Sequence, residues 1–213
     1  MANRFDEIFS AIDSCRVFAD IGCDHGYMTE KVLKSGKCEK AIISDVSEKC
    51  LEKAKTLLSS YIESGKCEYF ACDGFDKIDY CDQALIAGMG GEETIKILKK
   101  SAFKPEKLVL QPMKSVKELR TFLVEFGYKI EKDYLFTASG KYYTLIKANL
   151  GTDTLSDEEA EFGRTNIALL PNDFTSWVRA EIKKLCTYTL AENISEGSRK
   201  EINLRIEKLQ KYV

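Results

Sequence analysis

From Val17 to Leu150, short apolar runs alternate with stretches whose apolar residues recur at helical spacing. Val17–Ile21, Ala41–Val46, Cys67–Ala71, Gln83–Ala87 and Lys107–Gln111 are strand-sized runs, the last stopped by Pro112. Between them, Thr29–Ser35, a stripe of Cys50, Leu51, Ala54, Leu57 and Leu58 behind Ser47, Glu92–Lys100 and Leu119–Phe126 read as helices. Ser47 is an N-cap, Glu92 and Glu93 suit the positive end of a helix dipole, Ser115 and Glu118 are spaced as a capping box, and Gly127 is a stop. Two further strands, around Tyr128–Phe136 and Tyr142–Ala148, flank Ser139-Gly140 and read as a hairpin. Five βα repeats closed by an antiparallel hairpin predict an α/β fold, a mostly parallel sheet with helices on both faces.

After Leu150 the pattern changes. Ser156 and Glu159 are spaced as a second capping box, and Phe174–Leu190 and Ser198–Tyr212 are amphipathic, hinged near Asn193–Gly197. Trp177, Ile182, Leu185 and Leu190 form one stripe, and Ile202, Ile206 and Leu209 the other. The expected organisation is a ligand-binding domain over residues 1–150 and a small helical or coiled-coil appendage over 151–213.

Composition narrows the function classes. The 213 residues are 44% hydrophobic and 31% charged, as in a globular protein. No apolar run approaches the ~20 residues needed to span a bilayer, and the N-terminus has no signal core, so the expected location is the cytoplasm, with no membrane partner. Eight cysteines without a C-x-x-C pair, beside a single histidine, give a metal site no support and read as free thiols. A net charge of −2 means that a nucleic-acid partner would need a local basic patch. A monomer is the expected oligomeric state.

The chemistry concentrates at the carboxyl ends of the expected strands. Asp20, Gly22, Asp24, His25 and Gly26 form D-x-G-x-D-H-G after the first strand, where glycines let the backbone turn and approach a ligand. Asp45, with Val46, ends the second strand 19 residues past Gly26, where an acidic residue accepts from ribose hydroxyls. Asp73-Gly74 follows the third strand, either beside an adenine amine or as a solvated turn. Ala87, Gly88, Met89, Gly90 and Gly91 follow the fourth, a backbone-lined floor against a flat ligand or a flexible loop. G-x-G-x-x-G is absent and the terminal hairpin suits a dehydrogenase badly, which makes a dehydrogenase the least expected reading.

In order, D-I-G-C-D-H-G-Y, S-D-V, D-G-F, A-G-M-G-G, L-Q-P and G-K-Y-Y span about residues 4–148 and resemble the bacterial TrmK family of tRNA (adenine(22)-N(1))-methyltransferases. The resemblance implies a Rossmann-like class I methyltransferase fold, S-adenosylmethionine as cofactor and tRNA as substrate. It assigns Asp20, Gly22, Asp24, Gly26, Asp45, Val46, Asp73, Gly74, Ala87, Gly88 and Met89 to the cofactor. Asp24, His25, Met89 and Gly90 then fall at the reacting atoms. Asp24 either accepts from the exocyclic amine of the target adenine or holds the cofactor's amino group. His25 orients Asp24, touches RNA phosphate, or serves packing or capping. Gly91, Gln111 and Pro112 would border the adenine slot and Tyr142 would stack on the flipped base or belong to the core. Arg4, Lys114, Lys117 and Arg120, with Arg179, Lys183 and Lys184 on the tail, are either grips for the RNA backbone or solvated faces. The competing readings are a methyltransferase of another RNA, a protein or a small molecule, and a non-catalytic cofactor-binding scaffold.

Overall fold

The computed structural model describes residues 3–190 and 194–213. The chain runs α1 (Arg4–Ala11), β1 (Cys15–Ile21), α2 (Tyr27–Lys34), β2 (Cys38–Asp45), α3 (Glu48–Leu57), α4 (Ser59–Glu63), β3 (Cys67–Ala71), β4 (Gln83–Ala87), α5 (Gly91–Lys100) and β5 (Lys107–Gln111). It continues with α6 (Val116–Glu125), β6 (Tyr128–Ala138), β7 (Lys141–Leu150), α7 (Asp157–Phe162), α8 (Arg164–Leu169), α9 (Asn172–Thr189) and α10 (Glu196–Gln210). The strands form a seven-stranded sheet in the order β3-β2-β1-β4-β5-β7-β6, parallel except for β7, which pairs antiparallel with both β5 and β6.

Period-2 alternation sorts each central strand between two apolar cores. Phe18, Ala41, Ile43, Leu85 and Val109 face one layer with Val32, Leu33, Leu51 and Ala54 of α2 and α3. Ala19, Ile42, Ala84, Ile86, Leu108 and Leu110 face the other with Ile97, Leu98, Leu119 and Leu123 of α5 and α6. The hairpin turn is made by Ser139 and Gly140, both at positive φ, in the handedness that matches twisted strands. Ser47 accepts from the Cys50 amide at 3.3 Å, and Ser156 and Glu159 form the expected reciprocal capping box.

Two expectations change, and one helix is added. The repeats are not five βα units: no helix follows β3, and the loop before β4 instead buries Phe75, Ile78 and Cys81 against the sheet. Ser115 does not form a capping box with Glu118. The backbone there lies so close to Gly91 that a Cβ on Gly91 would sit 2.2 Å from the Ser115 carbonyl oxygen. Ser115 is held at φ +54 with its hydroxyl donating to Glu92 at 3.3 Å, so it cannot reach its own helix's amides. The first helix, α1, lies outside the elements expected from the sequence, although Asn3 caps it and Phe5, Ile8, Phe9 and Ile12 repeat at helical spacing.

The residues after Leu150 build a small core of their own from Phe162, Phe174, Val178, Leu209 and Tyr212. They also cover the sheet edge. The backbone amides of Ile130, Asp133, Leu135 and Thr137 on β6 donate to side-chain oxygens of Asp153, Thr165, Asn166 and Asp173, at 3.0 to 3.1 Å. An edge strand's unpaired donors are thereby answered by side chains of the tail. Part of the expected hinge at Asn193–Gly197 falls on residues 191–193, outside the described residues. Ser195, within it, caps α10 by accepting from Ser198 at 3.1 Å.

Candidate active site

The strand order reverses between β1 and β4, and the crevice at their carboxyl ends is where open α/β sheets bind ligands. Two hollows meet there, of about 320 and 420 Å³, and Arg4, Gly22, Asp24 and Ala87 line both, so they form one continuous cleft. The first is bounded by α1, Asp20, His25 and Tyr27. The second runs along Asp45, Val46, Asp73, Gly74, Gly88 and Met89.

Glycine is required at the cleft's edge. Gly22 sits at φ +72, and a Cβ there would lie 2.1 Å from the Met89 Cε, so Met89 packs directly over the bare turn. At Gly88 a Cβ would stand 3.2 Å from the Arg4 guanidinium. Gly26, at φ +78, precedes α2 where a Cβ would stand 3.1 Å from Ala54 of α3 and from Leu58 just after it.

The carboxylates differ in environment. Asp20 is 4% exposed and accepts from the buried Thr29 hydroxyl at 2.7 Å. Burial, against that hydrogen bond, pushes its carboxyl up to about 6. Asp45 accepts at both oxygens, from the Ser47 amide at 2.8 Å and the Asp24 amide at 3.0 Å. The second bond anchors Asp24, which occupies the left-handed region at φ +50, unfavourable for a residue with a side chain. His25 holds Asp24 below the usual carboxylate range: Nδ1 lies 2.8 Å from the exposed Asp24 carboxylate. On its other side His25 Nε2 lies 2.8 Å from Lys53 Nζ, and the ring stacks on exposed Tyr27 with centroids 6.0 Å apart. Asp73, lining the second hollow, pairs with Lys100 at 3.3 Å.

Arg4 reaches the cleft because α1 is tied down. Its Nε donates to Gln111 Oε1 at 2.7 Å and its guanidinium lies 5.4 Å from the Tyr143 ring centroid. Tyr134 donates to Glu7 at 2.6 Å, Lys31 pairs with Asp6, and Lys37 caps the helix at the Phe9 carbonyl, 2.9 Å away.

The structure redistributes the residues expected to meet a substrate. Arg120 is 2% exposed: it forms a two-pronged pair with the fully buried Asp133 at 2.9 and 3.1 Å and donates to the carbonyls of Ala160 and Glu161. A surface grip on RNA is excluded, because its four bonds join β6 and α7 inside the protein. Tyr142 projects from the opposite strand face to Tyr143, and Tyr143 is the ring beside Arg4. Gln111 is fully buried and acts on the cleft only through Arg4, while Gly91 is buried beneath Ser115. Pro112 is buried at the end of β5. Gly90 and Lys114 line a further hollow continuous with the second along Asp73, Glu93 and Ile97. Lys117, Arg179, Lys183 and Lys184 are exposed, Lys184 pairing with Glu181 at 3.5 Å.

Sequence reasoning missed Lys53, Tyr27 and Tyr143. Lys53 looks like any charged helix residue, whereas Tyr27 was signalled by an aromatic placed directly after the glycine turn. No group of three or more His, Cys, Asp or Glu side chains among the described residues is arranged to hold a metal ion, and none of their helices is long and apolar enough to cross a membrane.

Comparison with known proteins agrees with this geometry. A family model described as a methyltransferase domain matches residues 1–146. A Mycoplasma pneumoniae protein provisionally named a tRNA methyltransferase is 30% identical over 155 residues, 70% of this chain and 71% of its own length. The tRNA (adenine(22)-N(1))-methyltransferase of Bacillus subtilis is 26% identical over 156 residues, 71% of this chain and 66% of that protein. Among solved structures, TrmK of Mycoplasma capricolum in complex with S-adenosyl-homocysteine superposes with a TM-score of 0.88 at 26% identity, covering 100% of this chain and 97% of that one. Sheet order, acid-lined cleft and sequence kinship converge: the chain belongs to the methyltransferase-domain family.

Proposed function

We propose that the chain transfers a methyl group from S-adenosylmethionine to N1 of adenine 22 in the D-arm of tRNA. The observation that carries this is the single cleft at the switch point, with Asp20, Asp45 and Asp73 along it and the glycine loop Gly88–Gly90 at its side. The residues fit a sulfonium nucleoside. Deep Asp20 suits a cationic amino group, Arg4 a carboxylate, Asp45 ribose hydroxyls and Asp73 an adenine amine, while Val46, Met89 and Ile97 give apolar walls. The naming of the Bacillus subtilis relative for this reaction, and of the Mycoplasma capricolum structure for the cofactor product, supports the same reading.

The bound cofactor supplies an electrophilic methyl group. Adenine N1 carries an in-plane lone pair, so the protein need not remove a proton before attack. Its residues must instead hold the base in line and favour the positive charge that grows on the ring. Asp24, anionic and facing the cleft, accepts from the exocyclic amine as that charge develops, with His25 fixing its carboxylate. Met89 and Gly90 shape the slot, and Tyr27, 60% exposed beside His25, offers an apolar face to a base drawn out of the RNA. Lys114 and Lys117, with Arg179 and Lys183 one helical turn apart on α9, are the exposed cations left for phosphate contacts. A tRNA substrate also fits a cytoplasmic location.

Incubating the protein with labelled cofactor and unmodified tRNA, then mapping the labelled base, tests the proposal. Label in N1-methyladenine at one D-arm position is expected, and is expected to vanish with Asp24→Ala. Turnover of a metabolite with untouched tRNA would overturn the substrate, and near-normal transfer by Asp24→Ala would remove Asp24 from the mechanism.

A further inference from the structure

The single histidine of the chain lies between a carboxylate and an ammonium group, and that arrangement dictates its protonation pattern. Lysine's ammonium has three donors and no acceptor. At 2.8 Å from His25 Nε2 it requires a lone pair on that nitrogen. The imidazole proton then resides on Nδ1, 2.8 Å from Asp24 Oδ2, where it donates to the carboxylate. The opposite tautomer would set N–H against N–H at Lys53 and lone pair against carboxylate at Asp24, breaking both contacts. An imidazolium would set its second N–H against the Lys53 ammonium.

We propose that Lys53 is a positioning residue for methyl transfer: by holding His25 as the neutral Nδ1–H tautomer it fixes the rotamer of Asp24 and leaves the carboxylate's charge uncancelled by an adjacent imidazolium. The inference rests on the reading of Asp24 as an acceptor toward the target adenine. Asp24 needs such help because it is exposed and its backbone lies at φ +50, held by the Asp45 carboxylate, with the His25 ring and the Cys50 thiol beside its own carboxylate. Tyr27 stacked on the ring and the Lys53 contact fix the imidazole, and the imidazole fixes the carboxylate. Lys53 lies on the solvent side of α3, so its replacement leaves the core intact.

With one histidine, the imidazole nitrogen resonances need no assignment by mutation. In the wild-type protein at neutral pH, nitrogen-15 spectra are expected to show a protonated Nδ1 and an unprotonated Nε2. Lys53→Met is expected to let proton density appear on Nε2, no longer faced by an ammonium, and to lower kcat by about tenfold or more, with the KM for cofactor unchanged, as misplacement of a reacting group does. Lys53→Arg, which restores a cationic donor, is expected to recover both. A wild-type Nε2–H or doubly protonated ring, a Lys53→Met spectrum identical to wild type, or an unchanged kcat would each overturn the proposal. So would a raised KM for tRNA at constant kcat, which would make Lys53 a phosphate contact. Asp24→Asn, assayed in parallel, separates the two readings: if it too is silent, the role of Asp24 falls, and if it alone is inactive, only the Lys53–His25 relay falls.

Discussion

Arg120 offers the sharpest test of the architecture, because its buried placement and its sequence-based reading predict opposite phenotypes. In the structure its guanidinium and the Asp133 carboxylate are 2% and 0% exposed, and the same guanidinium donates to two carbonyls at the end of α7. Arg120→Met keeps most of the side-chain volume but strands the Asp133 charge and frees the Ala160 and Glu161 carbonyls. Removing one partner of a buried pair costs about 3–5 kcal/mol, a large share of the roughly 5–15 kcal/mol that holds a typical domain together. For a chain of this size that corresponds to a fall in Tm of about 6–20 °C. Urea titration followed by tryptophan fluorescence is a direct assay, since Trp177 sits against the Phe162 and Phe174 rings of the tail core that Arg120 helps to seat. A loss below about 1 kcal/mol, the range of a surface ion pair, together with a raised KM for tRNA, would refute the buried-pair reasoning and restore Arg120 as an RNA contact.

Other outcomes follow from the cleft. With its carboxyl raised to about 6 by burial, Asp20 takes up a proton as pH falls through that value, so cofactor affinity measured by calorimetry should decline below pH 6 and Asp20→Asn should abolish that dependence. The sign for folding is opposite: because the native pKa lies above the unfolded one, this group's contribution to stability rises as pH falls from above 6 toward 4, and the Asn variant should lack that rise too. Gly22→Ala forces a side chain into φ +72 against Met89, and a cofactor Kd about tenfold weaker is expected from about 1–2 kcal/mol of backbone strain, whereas unchanged binding would show that the turn relaxes freely. Asp45→Ala should weaken cofactor binding and, by releasing the Asp24 amide, also lower kcat at saturating cofactor, and a pure binding defect would contradict the coupling of the two loops.

Much of the fold was legible because local signals and tertiary needs agree. The Ser47 and Ser156 caps and the Ser139-Gly140 turn each satisfy themselves within a few residues of chain, and the alternating strands carry their period in the sequence even though their partners are distant. The acidic and glycine positions of the cleft were legible for a related reason, since strand ends at one sheet edge are brought together by topology alone. What escaped depends on distant partners. Arg120 looks like a solvated helix cation until Asp133, on a strand 13 residues later, and the carbonyls of α7 close over it. Tyr142 and Tyr143 differ by one residue, and only the register of β7 decides which ring stands beside Arg4. Lys53 acquires meaning only when α3 packs beside the glycine turn and brings it to His25. Ser115 failed for the reverse reason: a sound local capping pattern yields to the close approach of Gly91.

The way α8 and its neighbours meet β6 has a consequence for anyone wishing to trim this protein. Strand pairing is indifferent to sequence, since any chain can offer carbonyls, but here the outermost amides are matched by four particular oxygens on Asp153, Thr165, Asn166 and Asp173. A version ending at Leu150 would lose all four at once and present a bare ribbon of amide protons to other molecules, inviting self-association.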